Sequence, residues 1–338
     1  MTPRRWRTAV LLAIIAAYVS IRLATGATAA VLDTPYDGNV GATVDLTISL
    51  GVSAAEVGVL LEDRGVIRSG RSLRWWMRWS GTAGEVQTGQ YRFQGPASLR
   101  QVIEVITEGH VLLAAVTVIE GATRWEVAEA LSGAGFGTYQ EAWEATGNAS
   151  LISDLDAEAT DLEGYLFPDT YHAPHGARAA DIVEMMVDRF RQVWTASRQA
   201  EARAAGLPVR DVLTIASLVE AETGRASERV LVSGVYHNRL ERRMLLQCDP
   251  TLLYALRLDG RTDRDIRRAD FVNESPYNTY RFSGLPPGPI GNPGEASIEA
   301  ALHPAETPFL YFVGRNDGSH AFSRTLREHN AAVNRYQR

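Results

Sequence analysis

In VLTIASLVEAETG an apolar run from Val212 to Val219 ends in two carboxylates, Glu220 and Glu222, on what should be a buried helix. An ionised carboxylate is costly to bury unless it is paired or protonated, and a carboxyl that keeps its proton near neutral pH can serve as a general acid. Glu220, beside Leu213, Ala216, Leu218 and Val219, is the group expected to be desolvated in this way. Glu222 stands two positions on and points roughly 200° away around a helix that turns about 100° per residue, so it is expected to support Glu220 rather than share its task.

Further polar groups lie on either side of this pair in the sequence. LEGYLFPDTY sets Glu163 and Asp169 around Tyr165, Phe167 and Pro168, with Tyr171 next. Aromatic faces beside carboxylates could line a sugar cleft, while a turn packed on the core is the simpler reading. LQCDPT carries Gln247 and Asp249, and Asp249 before Pro250 also suits a helix N-cap followed by proline at the first helical position. SPYNTYRFSGLPPGPIGNPG, residues 275–294, is too rich in proline and glycine for a helix or strand. A long ordered loop of this kind is usually functional, and Asn278, Tyr280 and the turn Leu285-Pro286-Pro287 are expected to form one wall of a cleft near Glu220, with Gln247 and Asp249 close by. His172 and His175 have no third ligand beside them and a zinc site needs three or four, so no metal is expected. There is no G-x-S-x-G, no glycine-rich phosphate loop and no evident histidine partner for Cys248, hence no alternative nucleophile and no cofactor.

The elements that must position these groups are legible in outline. VDLTISLGVSAAEVGVLLEDRG (44–65) and VTVIEGATRWEVAEALSGAG (116–135) align at an offset of 70 residues. Each reads as a strand, a glycine turn, a capping box (Ser53 to Glu56, Thr123 to Glu126), an amphipathic helix and a glycine stop. A third box, Ser98 to Gln101, follows the strand QYRF. MLLQ reads as a short strand, and PFLYFVGRNDGSHAFSRT as a hairpin turning at Asp317-Gly318, followed by a closing helix from Leu326.

At the N-terminus Arg4, Arg5 and Arg7 precede AVLLAIIAAYVSI, Ala9 to Ile21. Thirteen apolar residues fall short of the roughly 17 to 25 of a spanning helix unless Arg22 snorkels and Leu23 to Val31 extends the span. A cleaved signal peptide, cut after Ala27 and Ala29, and an uncleaved anchor both fit; the anchor is the reading carried forward, and either places the body outside the cytoplasm. The net charge of −6, with all 34 basic residues arginine, gives no broad basic field for nucleic acid. At 45% hydrophobic and 22% charged the chain is ordinary globular protein, and its single cysteine rules out an internal disulfide.

ASLVEAET, SERVLVSGVYHNRL, LQCDPT, the 275–294 loop, HPAETPFLYFV, SHAFS and LEGYLFPDTY occur in the order and spacing of one family. From about residue 40 to its end the chain resembles the endolytic murein transglycosylases of the MltG (YceG-like) family. Cys248 stands where that family has Thr or Ser, and TAGEVQTGQYRF matches the family's AGTYRF loosely. The resemblance implies a single-pass inner-membrane protein with a periplasmic catalytic domain that cuts nascent peptidoglycan glycan strands, with Glu220 as the catalytic glutamate of SxVExET. It also implies an α+β fold: a cytoplasmic tail (1–8), a transmembrane anchor (9–31), a small LysM-like module (41–112) and a mixed α+β catalytic domain (113–338), with helices around a mixed sheet that includes the 308–325 hairpin. The partners it implies are glycan strands, the membrane and peptidoglycan synthases. In this reaction the muramic acid 6-hydroxyl attacks its own anomeric carbon and one glutamate acts as acid and then base, whereas hydrolases use a second carboxylate. A glycoside hydrolase with Asp249 or Asp169 as that second group, and a non-catalytic peptidoglycan-binding scaffold, are the competing readings.

Overall fold

The computed structural model describes residues 3–49, 51–263 and 265–337. The chain divides into two compact units, residues 1–114 with 174–176, and residues 115–173 with 177–338.

The first unit begins with α1 (Pro3–Asp33), of which Leu12–Asp33 is long and apolar enough to cross a membrane. Strand β1 (Thr43–Ile48) leads into α2 (Ala54–Asp63) and α3 (Gly70–Ser80), and the chain returns in β2 (Gly89–Gln94) before α4 (Leu99–Glu108). β1 and β2 are antiparallel with Leu46 opposite Tyr91 and Val44 opposite Phe93. Period-two alternation turns Leu46, Ile48, Tyr91 and Phe93 into a core that α2 and α4 close with Val57, Leu61, Val102 and Ile106. Ser53 and Ser98 form the expected capping boxes. α2 can approach α3 closely because Gly58 faces Gly70, where an added Cβ would come within 2.8 Å of the Gly70 carbonyl oxygen.

The second unit runs from β3 (Leu113–Thr117) through α5 (Arg124–Gly133), α6 (Tyr139–Thr146), β4 (Thr170–Pro174), α7 (Ala179–Val193), α8 (Ala196–Ala204), α9 (Val209–Glu222), α10 (Ala226–Glu241), α11 (Asp249–Leu258), α12 (Glu295–Leu302), β5 (Tyr311–Gly314) and β6 (His320–Ser323) to α13 (Leu326–Tyr336). α9 is buried at every position from Val212 to Val219 and packs against α8, α10, α11 and α12, which accounts for its apolarity nearly all round. The internal repeat holds as local structure, since Gly51 and Gly121 both adopt positive φ ahead of boxed helices, and Gly65 and Gly135 do so after them.

Two expectations are corrected. Among the described residues no mixed sheet forms: β1–β2, β3–β4 and β5–β6 are separate two-stranded pairs. MLLQ is not a strand, because the Leu245 and Leu246 carbonyls accept from the Arg239 guanidinium, which also donates to the Leu310 carbonyl. With those acceptors taken by a side chain and Gln247 at φ 50°, no ladder can continue through the segment.

Candidate active site

α9 ends at Glu222, and its two glutamates diverge as the helical angle requires. Glu220 does not sit in an apolar pocket. One oxygen lies 3.3 Å from the Arg229 guanidinium of α10, the other accepts from the Gly294 N–H at 3.0 Å, and its side chain is only 7% exposed. Gly294 is the N-cap of α12 and has no side chain to cap with, so Glu220 supplies the anion that this helix terminus favours. Glu220 thus ties α9 to α10 through an ion pair and to α12 through a hydrogen bond.

Glu222 has the environment assigned in advance to its neighbour. Burial, and then the negative charge of Asp249, push its carboxyl up to about 7, against weaker opposing contributions from Cys248, Tyr236 and Arg239. The Cys248 thiol lies 3.8 Å from Glu222 Oε2, and burial with the nearby Glu222 charge keeps that thiol protonated. Glu222 lines a cavity of ≈ 440 Å³ together with Gln247, Asp249, Tyr280, Arg239 and His329. The Tyr280 hydroxyl donates to Asp249, and Phe271 packs edge-on against the Tyr280 ring at 4.6 Å.

Hydrogen bonds to Thr279 tether the segment that carries Gln247 and Asp249. Gln247 N–H donates to the Thr279 carbonyl and Cys248 N–H to the Thr279 hydroxyl, which is also 2.8 Å from the Thr251 hydroxyl. Cys248, not Asp249, is the N-cap of α11, so Asp249 sits in the first turn and its side chain is free to face the cavity.

The other expected site residues fall elsewhere. Asn278 is fully buried, donating to the Phe271 and Asn273 carbonyls and accepting from the Tyr280 N–H, so it shapes the loop that carries Tyr280. Leu285 and Pro286 do not line the Glu222 cavity; the following Pro287 and Pro289 line a second cavity of ≈ 120 Å³ with Glu163 and Asp161. Glu163 is pushed up to about 8 by burial and accepts from the Arg124 N–H, the Tyr254 hydroxyl and the Asn292 amide, a buried node between segments. Asp169 pairs with Arg189 at the surface at 2.9 Å. Arg239 and Tyr236, from the VYHNRL run of α10, are the contributors that reading by motif missed. Their signal was a helical one: on α10 they follow Arg229 by ten and seven positions, so the cation that neutralises Glu220 and the groups around Glu222 share one helix.

A raised carboxyl, a second carboxylate and an aromatic hydroxyl in one cleft of an α+β unit are groups suited to general-acid chemistry on a polar substrate. The chain belongs to the YceG-like family, whose model matches residues 46–335. It is 32% identical over 318 residues to the endolytic murein transglycosylase of Bacillus subtilis, covering 89% of this chain and 87% of that one. It is 28% identical over 332 residues to the endolytic murein transglycosylase of Streptococcus pneumoniae (strain D39), covering 88% of this chain and 59% of that longer one. The crystal structure of a yceG-like protein from Listeria monocytogenes superposes with a TM-score of 0.59 at 30% identity, covering 86% of this chain and 99% of that one.

Proposed function

We propose that this protein is an endolytic peptidoglycan lytic transglycosylase in which Glu222, not Glu220, is the general acid and base. The observation that carries this reading is the Glu222 carboxyl, raised to about 7 in a cavity it shares with Asp249, Gln247 and Tyr280. At neutral pH a large share of Glu222 is protonated and can give its proton to the glycosidic oxygen as the bond to the muramic acid anomeric carbon breaks. The resulting carboxylate takes the proton of the 6-hydroxyl as O6 bonds to the same carbon, which closes the 1,6-anhydro ring and returns Glu222 to its starting state. The Asp249 charge, held by Tyr280, lies in the same cavity and would stabilise the positive charge that builds on the sugar ring.

The cut is placed between muramic acid and glucosamine in nascent strands, so it would end their elongation beside a synthase. Residues 9–31 serve as a single-pass inner-membrane anchor with the arginine-rich tail cytoplasmic and the cavity periplasmic, supported by the apolar span of α1 and the charge asymmetry before it. The strand–helix–helix–strand order of β1, α2, α3 and β2 supports a LysM-like module in the first unit.

Asp249 favours one second reading, a hydrolase, because it puts another carboxylate in the cavity of Glu222. Mass spectrometry of glycan strands incubated with the protein separates the two. Anhydro-muramic ends, one water lighter than reducing ends, are expected; reducing ends would establish the hydrolase, and uncut strands would leave only a binding role.

A further inference from the structure

The sequence GRSLRWWMRWS folds as α3, an amphipathic helix whose Leu73 and Met77 are buried in the core of the first unit. Its other face departs from ordinary solvated surface. Trp75 and Trp79 are 56% and 69% exposed and stack on each other with ring centroids 6.3 Å apart, interplanar angle 6°. Trp76 lies 5.0 Å from Trp79. Around them Arg71, Arg74 and Arg78 are exposed, and none of the ion pairs among the described residues uses them. Three indoles and three unpaired guanidinium groups on eleven residues, with no acidic side chain on the helix, are far from a neutral surface.

Position says what covers this face. A groove of ≈ 330 Å³ is lined on one side by Ala27, Thr28 and Val31 of α1 and on the other by Arg71, Trp75 and Trp76 of α3. Those α1 residues belong to the last two turns of the segment Leu12–Asp33, so they lie within about 10 Å of the end of the span at 1.5 Å per residue. Interfacial helices bury their apolar face about 5–10 Å into the boundary between headgroups and acyl chains, where indole rings concentrate and arginines meet lipid phosphates. The groove thus sets the tryptophan face of α3 beside the end of the apolar span, level with that boundary if α1 crosses a bilayer.

We infer that α3 is a membrane-interface helix: Trp75 and Trp79 insert among the headgroups of the bilayer that α1 spans, and Arg71, Arg74 and Arg78 bind anionic lipid phosphates, so that the first unit lies against the membrane instead of swinging on its anchor. The inference relies on the anchor reading of α1 and is independent of the catalytic assignment.

The test is tryptophan quenching in the full chain, reconstituted in nanodiscs of mixed phosphatidylglycerol and phosphatidylcholine with acyl chains brominated near the headgroup. Trp6→Phe removes the indole in the N-terminal segment and serves as the reference. Bromolipid quenching is expected in this protein and should be largely lost in Trp6→Phe/Trp75→Phe/Trp79→Phe, which keeps aromatic bulk at both positions. Exchanging phosphatidylglycerol for phosphatidylcholine, or making Arg74→Glu/Arg78→Glu in the reference, should lower the quenching. Equal quenching with and without Trp75 and Trp79 would overturn the inference. So would emission that ignores bromolipid but shifts on adding soluble glycan strands, which would assign the face to sugar. A failure of the anchor itself is read separately, as protein that does not incorporate into nanodiscs at all.

Discussion

The two glutamates of one motif have opposite electrostatic surroundings. Glu220 meets a cation and a helix N-terminus, whereas Glu222 meets a buried thiol, a tyrosine and the like charge of Asp249. Glu222→Gln keeps the shape but not the proton, so strand cleavage should fall by about a hundredfold to ten-thousandfold with the melting temperature little changed. Because the acid works protonated, kcat/KM should be sustained below pH about 7 and decline above it. Asp249 helps raise that carboxyl, so Asp249→Asn should move the decline to lower pH whatever it does to the rate, and a pH profile with no limb near neutrality would remove Glu222 from the role. The same shift bears on stability with a definite sign. A folded-state carboxyl above its unfolded value binds more protons than the unfolded chain between pH about 4.5 and 7, so its contribution to stability is present below that window and is lost as pH rises through it.

At the scale of elements, α9 is a central post held at its end by Glu220. Removing that charge leaves Arg229, only 12% exposed, with the more distant and half-exposed Glu120 at 3.8 Å as its remaining carboxylate, and the α12 N-terminus without its acceptor. Leaving a buried charge wholly unpaired typically costs about 3–5 kcal/mol, and the residual Glu120 contact keeps the cost here below that range. Glu220→Ala should therefore lower stability markedly in a denaturant titration, and Glu220→Gln, which can still accept from Gly294, less so. Any activity loss should follow the unfolded fraction and not the pH limb of Glu222. Ser217 acts on the same post: its hydroxyl donates to the Thr214 carbonyl and accepts from the Ile290 N–H, which fastens the proline-rich loop to α9.

At the scale of the molecule, α1 meets the folded body only near its C-terminal end, at the α3 groove and against α4. From Val10 to Val31 almost every described side chain is exposed, and Leu32 is the first α1 residue to join the core of the first unit. A chain beginning at Val31 should be soluble, with unchanged cooperative unfolding of both units and unchanged Glu222 chemistry on detergent-free glycan strands. Aggregation or loss of folded signal in this truncation would show that α1 is part of the fold and not only its tether.

Local patterns alone determined a good deal. Capping boxes, the 70-residue echo, the hairpin at Asp317-Gly318 and the apolar stretch of α9 depend on neighbours a few residues apart, which is the range over which propensity and periodicity act. The ordered motifs led to the right family for the same reason, since they are contiguous strings. What tertiary structure decided was what each glutamate meets. Those surroundings turn on Arg229 and Gly294, 9 and 74 residues from Glu220, and on Cys248 and Asp249, 26 and 27 residues from Glu222. A carboxyl group's proton affinity is a sum over neighbours in space, and helix angle could show that the pair diverges without showing what each meets. MLLQ went astray in the same way, because the Leu245 and Leu246 carbonyls that a strand ladder would have used are taken by the Arg239 side chain.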